Sequence, residues 1–303
     1  MSIYCLLAAF GGGVFAAAIG GLPAFILTGV FSLLGAVAGM VGAPAGAVDV
    51  LVNYMAFGPF FGPHISFTAG VAAAAYAKKK GIIENGADIA RSLYGLGDPT
   101  TLAVGGCFGV IGFLVKQFIT APLFGGGVSP RLVTDLPGIW VFVGGVLIRL
   151  IFGGKLRTGD KVITSGGVLG NCILISVAYS LLVAGIYTGA IAAGVDVAAF
   201  GGLYHVLIFG TAAVMLVFAE IGQPTYGCHH IVIIAAEATV QSYAQTNNLM
   251  TALIVGVIFG TIAGLICEAE GCLINSGTDS HIDGPGCAIF IMTFVINAIF
   301  PAI

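Results

Sequence analysis

The sequence predicts an all-α polytopic membrane protein of about ten transmembrane helices, arranged as two inverted five-helix repeats. Short or broken helices are expected near 45–77 and 222–244. Three observations lead there. The 303 residues are 58% hydrophobic and only 8% charged, with mean hydropathy +1.10; a soluble domain carries roughly a quarter charged residues. The apolar runs are near-continuous and helix-length, whereas a β-barrel would show short alternating segments. One motif, Pro-x-aromatic-Gly-x-His, occurs twice.

Gly, Pro and charge divide the chain into spans at about 3–21, 23–42, 64–77, 100–123 and 137–154 in a first half. A second set follows at about 170–194, 197–219, 229–244, 249–267 and 285–302. Crossing ~30 Å of hydrocarbon takes roughly 20 residues. Spans 64–77 and 229–244 fall short of that, as expected of broken elements lining a cavity. Segment 45–57 is apolar enough to re-enter the membrane. The 48 glycines suit helices that approach closely through small residues. The seven cysteines have no zinc-ribbon spacing and read as small hydrophobes.

The repeat rests on collinear matches. Pro59-Phe60-Phe61-Gly62-Pro63-His64 pairs with Pro224-Thr225-Tyr226-Gly227-Cys228-His229. Asp135-Leu136-Pro137-Gly138 pairs with Asp283-Gly284-Pro285-Gly286, and Phe108-Gly109 with Phe259-Gly260. The expected units are repeat 1 (1–155), a linker (156–169) and repeat 2 (170–303). Insertions near 43–56 and 80–98 distinguish the first; 81–98 reads as a surface helix capped by Asn85, with Ile89, Leu93 and Tyr94 as its apolar stripe.

Seven of the ten basic residues lie in two loops: Lys78, Lys79, Lys80, Arg91, and Lys155, Arg157, Lys161. The positive-inside rule makes loops 78–99 and 155–169 cytoplasmic and both termini external. The expected location is a prokaryotic plasma membrane. An odd number of spans per half inverts the second, the usual mark of a transporter with a site near midplane. This five-plus-five arrangement resembles that of ammonium, urea and several sodium-coupled carriers in topology, which does not assign a substrate.

The candidate substrate- or ion-binding residues are His64, His229, His230, Glu237, Glu220, Lys116 and Gln241. Pro and Gly break the helix before His64 and His229, leaving N–H groups with partial positive charge at depth. The alternative is a plain interfacial turn. Glu237 lies about two turns inside its span, where a carboxylate costs ~2.5–3.5 kcal/mol and is expected to face the interior; His230 and Gln241 share its face. Glu220 is expected either to pair with His229 or His230 or to sit at the interface. Lys116 either snorkels or meets substrate; Arg149 is placed near the cytoplasmic face. Asp135 and Asp283 read as N-caps. The loop from Cys267 to Asp283 offers a weak metal alternative through Asp279, His281 and Asp283. No cofactor is expected beyond Na⁺ or H⁺ as coupling ion.

No phosphate-binding loop or nucleotide fingerprint is present, and no nucleophile–base pair points to an enzyme. The expected partners are lipids and a small solute or ion, not nucleic acid, with a homo-oligomer left open. The first functional expectation is therefore a secondary transporter of a small polar or anionic metabolite coupled to H⁺ or Na⁺. The alternatives are a passive channel for a small neutral solute or gas, and a membrane subunit of an ion-translocating or enzymatic complex.

Overall fold

A computed structural model describes residues 2–200 and 202–301. Gly201, within the predicted span 197–219, and Ala302 and Ile303, at the end of the predicted second half, lie outside the described residues, as does Met1. The described residues form helices and no strands. Five helices are long and apolar enough to cross a membrane, and the shorter helices are apolar too.

Helices α1 (Ile3–Ile19) and α2 (Gly21–Met40) are separated by Gly20 alone. Its φ of 108° is closed to residues with a Cβ, so glycine permits the reversal. Both arms of this V reach the Pro59–Phe61 turn, where the Thr28 hydroxyl donates to the Phe61 carbonyl at 2.6 Å. Next come α3 (Ala45–Ala56), whose second part is π-helical, and α4 (Ser66–Lys79). The Pro-Phe-Phe-Gly-Pro-His turn lies between them, so segment 45–57 is a helix leading into the break. α5 (Pro99–Phe124) and α6 (Leu136–Gly153) each pass into a π-helical stretch, at Lys116 and Arg149. The rest are α7 (Gly166–Ala192), α8 (Tyr204–Glu220), α9 (His229–Thr246), α10 (Leu249–Ile274) and α11 (Gly284–Ile299).

Packing follows residue size. On α10, Gly256, Gly260 and Gly264 meet Ala184, Ser180 and Ser176 of α7 in antiparallel order. Close approach of small residues is how helices associate where lipid removes the hydrophobic drive. The other side of α10 carries Met250, Ile254, Ile258 and Ile262, all exposed at a spacing of four. A row of that kind suits acyl chains rather than water.

The packing pairs recur. In the first half α1 lies on α5, and α4 on α1, α2, α5 and α6; in the second α7 lies on α10, and α9 on α7, α8, α10 and α11. Between the halves, α2 packs on α8 and α6 on α11. A Cβ on Gly29 would stand 3.0 Å from the Gly210 carbonyl, and one on Gly210 would stand 2.9 Å from the Gly29 carbonyl. Gly138 and Gly286 repeat the reciprocity, at 3.1 and 3.4 Å. Both crossings are antiparallel: Gly39 meets Leu203 while Gly29 meets Ala213, and Gly145 meets Ile282 while Gly138 meets Gly286.

Two expectations need correction. Residues 81–98 do not form a helix beyond a single 3₁₀ turn at Tyr94–Leu96. They run as an irregular strap bonded to the α1–α2 junction, with Leu22 N–H donating to the Ile89 carbonyl and Ser92 Oγ to the Ala18 carbonyl. Asn85 caps a local turn through the Ala87 N–H instead of a helix. The strap's glycines and the Asn-Gly pair favour turns over helix. The second correction concerns 267–274, read as loop but forming the last two turns of α10. Glu270 in this stretch is buried and its carboxylate accepts from the Asn275 amide at 2.8 Å.

The strap and linker share one end of the molecule. Lys79 Nζ donates to the Ile151 carbonyl at 2.8 Å, Lys78 lies 3.6 Å from Asp279, and Thr158 N–H bonds the Leu273 carbonyl. Lys80 pairs with Asp98 at 2.8 Å. That ammonium and the Thr100 and Thr101 hydroxyls hold the Asp98 carboxyl below its ordinary pKa.

Candidate functional site: a central cavity

The two halves enclose a cavity of about 470 Å³ between the α2–α8 and α6–α11 crossings. Its walls are chiefly apolar, with Phe25, Phe57, Phe67 and Phe209 prominent. Its polar residues are Lys116, Asp135, His205, His229, His281 and Asp283. This combination of an apolar chamber and a few convergent polar groups is the usual form of a small-molecule site.

Chain breaks deliver most of those groups. Asp135 and Asp283 cap α6 and α11, each with Pro in the first turn. Asp283 accepts from the Gly286 N–H at 2.6 Å and Asp135 accepts from the Gly138 N–H. The caps put two carboxylates at the crossing of α6 and α11, as the Asp-x-Pro-Gly matches anticipate. They are not equivalent: His281 Nε2 lies 3.2 Å from Asp283, whereas position 133 in the first half is Val133.

His229 opens α9, and Cys228 before it offers no side-chain cap. The His229 ring is buried against Phe25, with centroids 4.9 Å apart, and Nδ1 has no hydrogen-bond partner among the described residues. Lys116 reaches in from α5. Its Nζ donates to the Phe57 carbonyl at 2.7 Å, at the end of α3, and it forms no ion pair among the described residues. A second cavity, of about 320 Å³, also has Lys116 in its wall, with His64, Asp49, Asn53 and Gln117.

The sequence candidates therefore separate. Lys116 and His229 line the central cavity, joined by Asp283 and His281. His64 is fully buried but borders the second cavity, with both ring nitrogens unpartnered. His230 is buried against the His229 ring, centroids 5.7 Å apart, and does not line the central cavity. Glu237 is also outside the lining. It accepts from the Thr293 hydroxyl at 2.8 Å, from Gln241 at 3.2 Å and from Asn297 at 3.4 Å, tying α9 to α11. Gln241 is that network's partner rather than a cavity residue. Glu220 pairs with neither His229 nor His230. The metal alternative does not assemble: Asp279 turns to Lys78, leaving His281 with Asp283, and no group of three His, Cys, Asp or Glu gathers among the described residues.

Sequence reasoning passed over His205 because its place in an apolar helix start carries no motif. It read Arg149 as a snorkelling side chain close to a face. The residue does lie towards the end that carries the basic loops, but its side chain does not snorkel. Arg149 is instead fully buried. It donates to Ser280 Oγ at 2.8 Å, to the Ser280 carbonyl at 2.6 Å, to Asn275 Oδ1 at 3.0 Å and to the Ile274 carbonyl. A guanidinium has five donors in a fixed fork, and here they gather the segment that leads to Asp283.

Residues 1–164 and 175–302 match a family of unknown function, DUF7973. The chain belongs to that family. The unmatched stretch, 165–174, falls where the first half passes to the second. No curated protein and no solved structure matches the chain.

Proposed function

We propose that this DUF7973 member is a secondary transporter that carries a small organic solute through the membrane from the central cavity. Two inverted five-helix repeats form it, with α3, the Pro59–His64 turn and α4 together making one interrupted crossing. The observation that carries the reading is the pair of reciprocal glycine crossings, Gly29–Gly210 and Gly138–Gly286, with the cavity between them. Around the first crossing Gly29 also meets Val214 while Gly210 meets Leu33, four residues on in each half, and such exchanged contacts mark a two-fold. Antiparallel equivalents set that axis across the helices, and therefore in the membrane plane. Inverted repeats of this kind bind solute where interrupted helices meet, and alternate access by rocking one part against another.

Lys116 supports a carrier over a channel, because its bond to the Phe57 carbonyl stands between two cavities where a channel needs a continuous path. Asp135, Asp283 and His229 are titratable groups on the cavity wall, suited to H⁺ or Na⁺ coupling. The basic loops 78–80 and 155–161 lie at one end, which is cytoplasmic in this topology.

The test is uptake into proteoliposomes of a panel of small organic acids, amines and amino acids under imposed H⁺ or Na⁺ gradients. Saturable, gradient-dependent accumulation of one class supports the carrier. Flux that ignores the gradient and does not saturate overturns it in favour of a channel.

A further inference from the structure

Lys116 is a cation on the wall of the central cavity that forms no close ion pair among the described residues; the Asp135 carboxylate on the same wall acts on it only at longer range. Its ammonium has three donors, and the recorded partner is one neutral carbonyl, that of Phe57. At the bundle end Lys78 faces Asp279 and Lys80 is paired with Asp98, while Lys79 also bonds a carbonyl, that of Ile151, but lines no cavity. Burying part of an ammonium without a counterion is costly, and the cost is relieved when an anion arrives.

A second feature converges on the same chamber. α9 begins in its wall, and the N–H groups of Cys228, His229 and His230 have no acceptor among the described residues. Uncapped N–H groups at a helix start favour anions. His229 is nine-tenths buried, lines the cavity and leaves Nδ1 unpartnered.

The cavity's carboxylates are already engaged. Asp135 and Asp283 accept from Gly138 and Gly286 at the starts of α6 and α11, where the helix dipole compensates negative charge, and Asp283 also meets His281. Phenylalanine rings cover much of the remaining wall.

We infer that the solute is a small organic acid with an apolar or aromatic body, its anionic group bound by Lys116, His229 and the start of α9. This rests on the carrier reading and gives its substrate class. An anion bound at Lys116 competes with the Phe57 carbonyl for the ammonium. Since that bond lies in the wall between the two cavities, binding the solute also loosens the wall.

The experiment uses the full chain in lipid nanodiscs and three probes of one shape: benzoate, benzylamine and benzyl alcohol. Benzoate raises the unfolding temperature saturably and the other two do not. Lys116→Met weakens benzoate affinity by about tenfold or more, the loss of one charge-assisted contact, while Lys116→Arg stays within a few-fold. His229→Phe keeps the ring, removes the nitrogens and weakens benzoate as well, which serves if Lys116→Met fails to fold. Saturable binding of benzylamine in place of benzoate overturns the inference and assigns the cavity to cations at Asp135 and Asp283. Benzoate affinity unchanged in Lys116→Met, or no benzoate binding at all, also overturns it. Gradient-driven uptake of an amine sinks this inference and leaves the carrier standing. Benzoate binding with gradient-independent flux does the reverse.

Discussion

The two Pro-x-aromatic-Gly-x-His turns precede α4 and α9, and their surroundings differ. In the second half, the turn ending at His229 passes directly into α9, and the imidazole reaches the central cavity. In the first, α3 precedes the turn, and His64 borders the second cavity, while Lys116 crosses from α5 to bond the end of α3. The acidic side is also unequal, because Glu237 sits where the first half has an alanine, Ala72. In the proposed repeat frame, matching turns thus carry an asymmetric set of charges. Backbone crossings need both halves alike, whereas the proposed solute, charged at one end, would need them different.

The crossings are the first place to break the comparison. A side chain at Gly210 meets backbone, with Leu33 N at 2.7 Å and the Gly29 carbonyl at 2.9 Å, so nothing there can yield by rotating. Gly210→Val is expected to cost about 3 kcal/mol or more by overpacking, measured as loss of monodisperse protein after extraction. Gly185, mid-way along α7 with nothing within 4 Å of a Cβ, is the control. There Gly185→Ala gains about 0.5–1 kcal/mol of helix propensity, seen as a raised unfolding temperature.

Arg149→Met comes next. It removes the donors that hold Ile274, Asn275 and Ser280, leaving buried acceptors unpaired. The expected loss is about 3 kcal/mol, read by thermal unfolding in detergent. An unchanged unfolding temperature would show the segment is held by something else.

Smaller again is Glu237→Gln, which keeps one acceptor for α11 and removes the charge. With Glu237 outside the cavity lining, the expected outcome is a loss of about 1 kcal/mol, with transport retained. Abolished gradient-driven transport in a stable variant would return Glu237 to the coupling path. Smallest is Asp98→Asn. Its partner is the exposed Lys80, and such pairs contribute little; unfolding at neutral pH is expected to be unchanged. Because the pair depresses the Asp98 pKa, whatever it contributes is present above the ordinary carboxylate pKa and disappears as pH falls below it.

Much of the helix order was legible because apolar run length and Pro-Gly punctuation are local signals. The Asp135 and Asp283 caps were legible for the same reason: the carboxylate, the proline and the glycine N–H it bonds all lie within four residues. Other features depended on long-range geometry. Nothing adjacent to Arg149 announces Ser280, 131 residues away. Nor does spacing tell whether Glu237 faces a cavity or the hydroxyl of Thr293, since both satisfy a buried carboxylate equally well. The 81–98 strap misled because Ile89 and Leu93 fall at helical spacing, while their burial against the α1–α2 junction is a tertiary matter.

Opposite orientation of the two halves is the claim on which the cavity's function rests, and side-specific labelling tests it most directly. α4 and α9 follow the two turns and end at Lys79 and Thr246; Glu84 is exposed in the strap five residues past the end of α4. Glu84→Cys and Thr246→Cys, each in a background with the seven native cysteines replaced, are treated in intact cells with a membrane-impermeant maleimide. Inverted repeats predict that Thr246→Cys reacts and Glu84→Cys is protected until the membrane is opened. Reaction at both, or protection at both, would place the two ends on one side and contradict the inverted frame.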